Sequence, residues 1–198
     1  MRLEINPEHP EPHKIGRAVA ALRNGEVIAY PTDTVYGLGC DIMQKRAIER
    51  IYQLKRMKKD QPLAFVCPDL RDIAKYAIVD NSAYRLLKRE TPGPFCFILE
   101  ATKDVPKRLM MKRKQVGIRV PDNPVALALV RELGNPIVST SATLNGELYN
   151  DPDEIDDRFP GLAMVLDAGW GGVEPSTVVD LTSGDPEIKR QGKGDLTS

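Results

Sequence analysis

Apolar residues recur along this chain at helical and then at strand spacing, in alternation. Residues 13–24 place Ile15, Val19 and Leu22 on one face, and Gly25 follows as a stop, which predicts a helix. Val27, Ile28 and Ala29 then read as a buried strand over 26–30. A helix over 44–57 carries Ala47, Ile51 and Leu54 on one face, and residues 63–67 form a second buried strand. Asp69 suits the N-cap of a helix through Ala77, and a further helix spans 82–90. After the turn at 91–94 come strands at 95–99 and 116–120. Asn123-Pro124 starts a helix through Leu133, and Ile137 to Ser139 is a short strand. Residues 151–158 read as a loop or short helix, and 164–166, 177–181 and 187–190 as late strands. There is no internal repeat and no low-complexity linker. Such alternation predicts an α/β fold, and the short late strands point to a mixed rather than purely parallel sheet.

Composition narrows the chemistry. The 198 residues balance 28 Lys and Arg against 28 Asp and Glu, which argues against binding nucleic acid through a charged tail. The cations are nevertheless grouped. Lys55, Arg56, Lys58 and Lys59 form one run, and Lys107, Arg108, Lys112, Arg113 and Lys114 another, while acids gather at 151–157. The three cysteines, Cys40, Cys67 and Cys96, are widely spaced and read as reduced, mostly buried thiols. His9 and His13 are the only histidines and lie near the N-terminus, which disfavours a Ser-His-Asp triad and a histidine zinc site. No signal peptide or long apolar span is evident, so a cytoplasmic protein with no membrane partner is expected.

The candidate chemistry starts at residues 30–41, Tyr-Pro-Thr-Asp-Thr-Val-Tyr-Gly-Leu-Gly-Cys-Asp, where a strand breaks into a loop rich in hydroxyls, carboxylates and glycine. That mixture suits a small polar ligand held against close backbone. Ser139 to Thr143 offers hydroxyls and amides at a strand end, as an ordinary Ser/Thr-rich turn also would. Lys55, Arg56 and Lys58 follow a helix, where cations are favourable without any ligand. Arg119 is a charge within an apolar strand and needs a partner: Asp33, Asp180 or the carboxylate of a ligand. Ser176 and Arg190 open and close late strands, lining a pocket or capping a sheet edge. Walker and Gly-x-Gly-x-x-Gly sequences are missing.

In order and spacing, residues 30–41, 55–63, 92–99, 117–121, 139–142, 176–180 and 190–192 resemble the YrdC-like family, the threonylcarbamoyl-AMP synthases and their paralogues. Residues 91–99 and the segment after Ser141 look closest to the YciO-like branch. The resemblance implies one α/β domain over residues 1–198, with a core from about 13 to 192, and a positive concave cavity on a twisted mixed sheet. It implies a nucleotidyltransferase that combines L-threonine, bicarbonate and ATP into threonylcarbamoyl-AMP and pyrophosphate, for the t6A37 modification of tRNA. Binding of tRNA or double-stranded RNA is a further implication. By position, Thr34, Arg119 and Ser176 would face threonine. Lys55, Arg56, Lys58, Ser139, Ser141 and Arg190 would face the nucleotide. Lys55 and Arg119 would do the positioning, with no firm catalytic residue. Magnesium would ride with the triphosphate rather than in a dedicated metal site.

Four positions depart from the family pattern. Met57 stands where the family has arginine in Lys-Gly-Arg-Pro, and Thr143 where it has the asparagine of Ser-x-Asn. Val66 replaces a frequent histidine, and Cys96 an expected threonine. Each charged bond lost from a triphosphate site costs about one to three kcal/mol, so weakened adenylation is expected. The alternative is a non-catalytic nucleotide- or RNA-binding protein.

Overall fold

The computed structural model describes residues 1–58, 61–110 and 114–196. Lys59, Lys112 and Arg113 of the basic runs lie outside the described residues. In chain order the elements are β1 (Arg2–Glu4), α1 (Pro12–Arg23), β2 (Ile28–Tyr30), β3 (Gly37–Asp41), α2 (Lys45–Lys55), β4 (Ala64–Val66), α3 (Leu70–Tyr76), β5 (Ala77–Ile78), α4 (Asn81–Glu90), β6 (Phe95–Ala101), β7 (Gln115–Arg119), α5 (Pro124–Leu133), β8 (Ile137–Ser141), β9 (Thr143–Leu144), β10 (Glu147–Leu148), α6 (Pro152–Arg158), β11 (Met164–Asp167), β12 (Thr177–Asp180) and β13 (Glu187–Arg190).

One sheet runs β1-β11-β2-β3-β8-β4-β7-β6-β12-β13, with β5 also paired to β6. Parallel pairs (β1 with β11, β11 with β2, β4 with β7, β6 with β12) stand among antiparallel ones, so the expected mixed α/β sheet is present. Several helix ends follow local chemistry. Asp69, Asp80 and Asn123 each accept backbone N–H bonds as N-caps of α3, α4 and α5, and Gly134 ends α5 in the left-handed region. Residues 151–158 resolve as the short helix α6, capped by Asp151.

Strand alternation divides the apolar residues between the two faces. Leu38, Phe65, Phe97, Ile118 and Val138 point into the larger core, which also takes in Ile51 of α2, Ile73 of α3 and Leu87 of α4. The opposite face of β11, β2 and the adjoining strand ends presents Met164, Leu166, Ile28, Tyr30 and Ile137. There α1 and α5 supply Val19, Leu22, Leu129 and Val130. That cover stops partway along the strands. In β8, Ile137 lies under the helices, whereas Ser139 and Ser141, two and four residues on, do not. In β4, Val66 packs beneath the helical layer and Ala64 lies beyond it. The uncovered part of this face forms a concave floor.

The structure corrects several element bounds. Residues 37–41, expected as loop, pair with both β2 and β8 as the strand β3. Here Tyr30 lies across the strand: a Cβ on Gly39 would sit 2.8 Å from its Cε1 and 2.6 Å from Ile137 Cγ2. The glycines therefore leave room for the Tyr30 ring rather than forming a turn. The strand at Ile137 extends to Ser141, and β1, β5 and the β9–β10 hairpin were not anticipated.

Candidate functional site

Mostly small residues make the floor of the cavity. Across the sheet, Gly37 pairs with Ser141, Ser139 with Ala64, Ala64 with Gly117, and Gly117 with the larger Ile98. The resulting cavity measures about 230 Å³, and Thr34, Arg119, Ser139, Ser141, Ser176 and Arg190 all line it. A second cavity of about 430 Å³ shares Pro62 and Thr140 with the first and is lined by Lys55, Arg56, Met57, Thr143 and Asn145. Neither has an acidic side chain among its described lining residues. Lys58 is exposed and lines neither, so of the two cations beside Met57 only Arg56 faces the second cavity.

The loop after β2 is held from within and from outside. Thr32 Oγ1 accepts a hydrogen bond from Thr34 N at 3.1 Å and donates to Val35 O at 2.7 Å. The Thr34 hydroxyl lies 3.1 Å from it. Tyr36 Oη donates to Gly169 O at 2.8 Å and accepts from Ala168 N at 3.1 Å, fixing the segment after β11 against the loop. Gly172 follows so closely that a Cβ there would sit 2.0 Å from Thr34 O. Lys193 Nζ donates to Asp33 O at 2.6 Å from the C-terminal side. Gly172 and Lys193 carry no local signal that reveals these contacts in the sequence.

Arg119, the charge in an apolar strand, pairs with Asp33: its Nη2 donates to Asp33 Oδ1. Of the three partners considered, Asp180 is excluded, since it accepts from Thr182 and lies near Lys189 instead. The Arg119 and Asp33 side chains are only 10% and 9% exposed. Asp33 Oδ2 and Arg119 Nε are both buried without a hydrogen-bond partner. Ser176 and Arg190 meet on the far wall, where Arg190 Nη2 donates to Ser176 O at 2.8 Å.

Lys55 ends α2 buried, with Nζ donating to Ser141 O at 2.7 Å and to Thr143 Oγ1. Burial pushes its ammonium down to about 8. Met57 is half-buried against the larger core. Asn145 and Gly146, both at positive φ, form the two-residue turn between β9 and β10 at the cavity's edge. Tyr30 Oη donates to Ser139 Oγ at 2.7 Å, and burial raises the phenol to about 12. Cys96 and Val66 line the first cavity, and a Cβ on Gly117 would lie 3.3 Å from Cys96 Sγ. Burial pushes the Cys96 thiol up. Among the described residues, no group of three His, Cys, Asp or Glu side chains is placed to hold a metal, and no helix is long and apolar enough to cross a membrane.

A family model for the Sua5/YciO/YrdC domain, described as telomere recombination, matches residues 20–192. The protein YciO of Escherichia coli (strain K12) is 44% identical over 196 residues, covering 97% of this chain and 95% of that protein. Its crystal structure superimposes with a TM-score of 0.94 over 99% of this chain and 98% of that one, at 43% identity. The threonylcarbamoyl-AMP synthase of Serratia proteamaculans (strain 568) is 35% identical, covering 88% of this chain and 94% of the synthase. P. abyssi Sua5, solved in complex with L-threonine, superimposes with a TM-score of 0.88 at 31% identity, over 96% of this chain and 57% of Sua5.

Proposed function

Because the chain belongs to the Sua5/YciO/YrdC family, we propose that it is a threonylcarbamoyl-AMP synthase acting on L-threonine, bicarbonate and ATP. The observation that carries this reading is the convergence of six residues from five segments of the chain, Thr34, Arg119, Ser139, Ser141, Ser176 and Arg190, on one cavity. Lys55 and Arg56 line the adjoining one. Threonine occupies the first cavity between Thr34, Arg119 and Ser176. The triphosphate extends toward Lys55 and Arg56, with magnesium as its counter-ion and Ser139, Ser141 and Arg190 around the nucleotide.

The reaction asks little of the protein as an acid, base or nucleophile. Threonine's ammonium first gives up a proton; the free amine then attacks the carbon of bicarbonate, and water leaves to give a carbamate. A carbamate oxygen then attacks the α-phosphorus, and pyrophosphate leaves. The protein's part is to hold amine, carbon and phosphorus in line and to balance negative charge. Lys55 and Arg56 are suited to the leaving pyrophosphate, and backbone and hydroxyl donors of β8 to the α-phosphate.

One observation favours a second reading, a nucleotide- or structured-RNA-binding protein without turnover. Lys55 already donates to Ser141 O and Thr143 Oγ1, and Met57 contributes no charge beside it. The deciding experiment measures pyrophosphate release from ATP and bicarbonate with and without L-threonine. Threonine-dependent release supports the synthase. ATP binding without it, together with salt-sensitive binding of double-stranded RNA or tRNA, supports the second reading.

A further inference from the structure

The buried pair formed by Arg119 and Asp33 is incompletely satisfied. Asp33 Oδ1 takes one guanidinium N–H. Asp33 Oδ2 keeps acceptor capacity and Arg119 Nε an unused donor, both shielded from solvent. An unpaired buried polar atom is unfavourable, more so when charged, so this arrangement leaves two interactions unmade. Arg119 lines the cavity, as do Thr32 and Thr34; the Asp33 carboxylate between them does not line it and connects to it through its bond from Arg119. Asp33 is also held by its backbone carbonyl, which accepts from Lys193 Nζ, so the loop position does not depend on the carboxylate alone.

We propose that Asp33 recognises the ligand's amine, so that an α-amino-acid zwitterion is bound by insertion into the Arg119–Asp33 pair. The ligand carboxylate takes the guanidinium, including Nε, and the ligand ammonium takes the Asp33 carboxylate. One ion pair becomes two, and net charge in the pocket stays unchanged. A simple carboxylate gains Arg119 but leaves Asp33 facing a second anion, and a simple amine leaves Arg119 unpaired. The site therefore selects for both charges on adjacent carbons. This rests on the proposed binding of threonine and adds Asp33 to it as a specificity-determining residue.

The test is calorimetric titration of the full chain with L-threonine, with 2,3-dihydroxybutanoate, in which a hydroxyl replaces the amine, and with 2-aminobutane-1,3-diol, which lacks the carboxylate. Wild-type protein is expected to bind each analogue at least about tenfold more weakly than threonine, the scale of one charged hydrogen bond. Asp33→Asn is expected to weaken threonine by a similar factor while leaving 2,3-dihydroxybutanoate unchanged or tighter, whereas general damage to the loop weakens both. Equal losses for both ligands, or no loss for threonine, overturn the role of Asp33 alone. Wild-type binding of 2,3-dihydroxybutanoate as tight as that of threonine does the same, and needs no variant to fold. Failure of the wild type to bind threonine at all overturns the synthase reading and this inference with it.

Discussion

Lys55 Nζ, at the C-terminus of α2, donates to the carbonyl oxygen of Ser141, 86 residues further along, at 2.7 Å. The contact joins the last turn of a helix to the last residue of β8 and holds a buried cation at the mouth of the second cavity.

Because burial lowers Lys55 to about 8 from an ordinary 10.5, its charge is lost well within the alkaline range. A phosphate placed beside Nζ favours the charged form. ATP binding is therefore expected to take up protons near pH 8 and to weaken as the pH rises through it. Calorimetric titration in two buffers of different ionisation enthalpy reads the uptake directly, and Lys55→Met is expected to abolish it. The effect on stability has the opposite sign. Between about 8 and 10.5 the unfolded chain holds the extra proton, so the burial penalty on Lys55 is present at neutral pH and is relieved as pH rises across that window. Uptake that persists in Lys55→Met places the phosphates elsewhere.

Two sheet glycines, Gly39 beneath Tyr30 and Gly117 on the cavity floor, are expected to respond differently to one methyl group. At Gly39 the Cβ would lie 2.6 Å from Ile137 Cγ2 and 2.8 Å from Tyr30 Cε1, two well-packed groups. Gly39→Ala should cost about 1–3 kcal/mol through overpacking. At Gly117 the nearest atom is Cys96 Sγ at 3.3 Å, and the methyl would stand in the cavity. Gly117→Ala should hold or raise stability by up to about 1 kcal/mol, because a strand glycine loses more entropy on folding than alanine, while weakening threonine binding. Thermal unfolding and ligand titration on both variants check the contrast. A folded Gly39→Ala of wild-type stability would show that Tyr30 has another place to go.

The periodic elements were legible because their signal is local. Five of the six described α-helices follow from apolar spacing and caps such as Asp69 and Asn123, and the sixth, α6, reads in sequence as a loop or short helix. The mixed sheet follows from short strands between them. β3 was misread because Gly37 and Gly39 look like turn residues, and their purpose, making way for Tyr30, exists only once β2 and β3 pair. β1, β5, β9 and β10 are two or three residues long, too short for any period to show. At the site, the need of Arg119 for a partner was readable from its apolar strand. The choice of Asp33 over Asp180 depends on tertiary placement 86 residues away. Arg56 and Lys58 were equivalent in sequence, and the left-handed turn at Arg56 after α2 separates them.

Met57 tests whether the second cavity is the phosphate end. It lines that cavity beside Arg56, half-buried against the larger core, at the position to which the sequence resemblance assigns an arginine. The thioether offers no charge and no donor, whereas a guanidinium there would meet phosphate oxygens in a bidentate way. Met57→Arg is expected to tighten ATP binding by about tenfold, on the scale of one charge-assisted hydrogen bond. It should also raise threonine-dependent pyrophosphate release and leave threonine affinity unchanged. Met57→Leu, which keeps the apolar contact, should change none of these. Titration with ATP at two salt concentrations separates a specific gain from general attraction, since a bidentate contact in a partly buried cavity is screened less than a surface charge. If Met57→Arg folds normally and ATP affinity does not move, the triphosphate does not run through the second cavity.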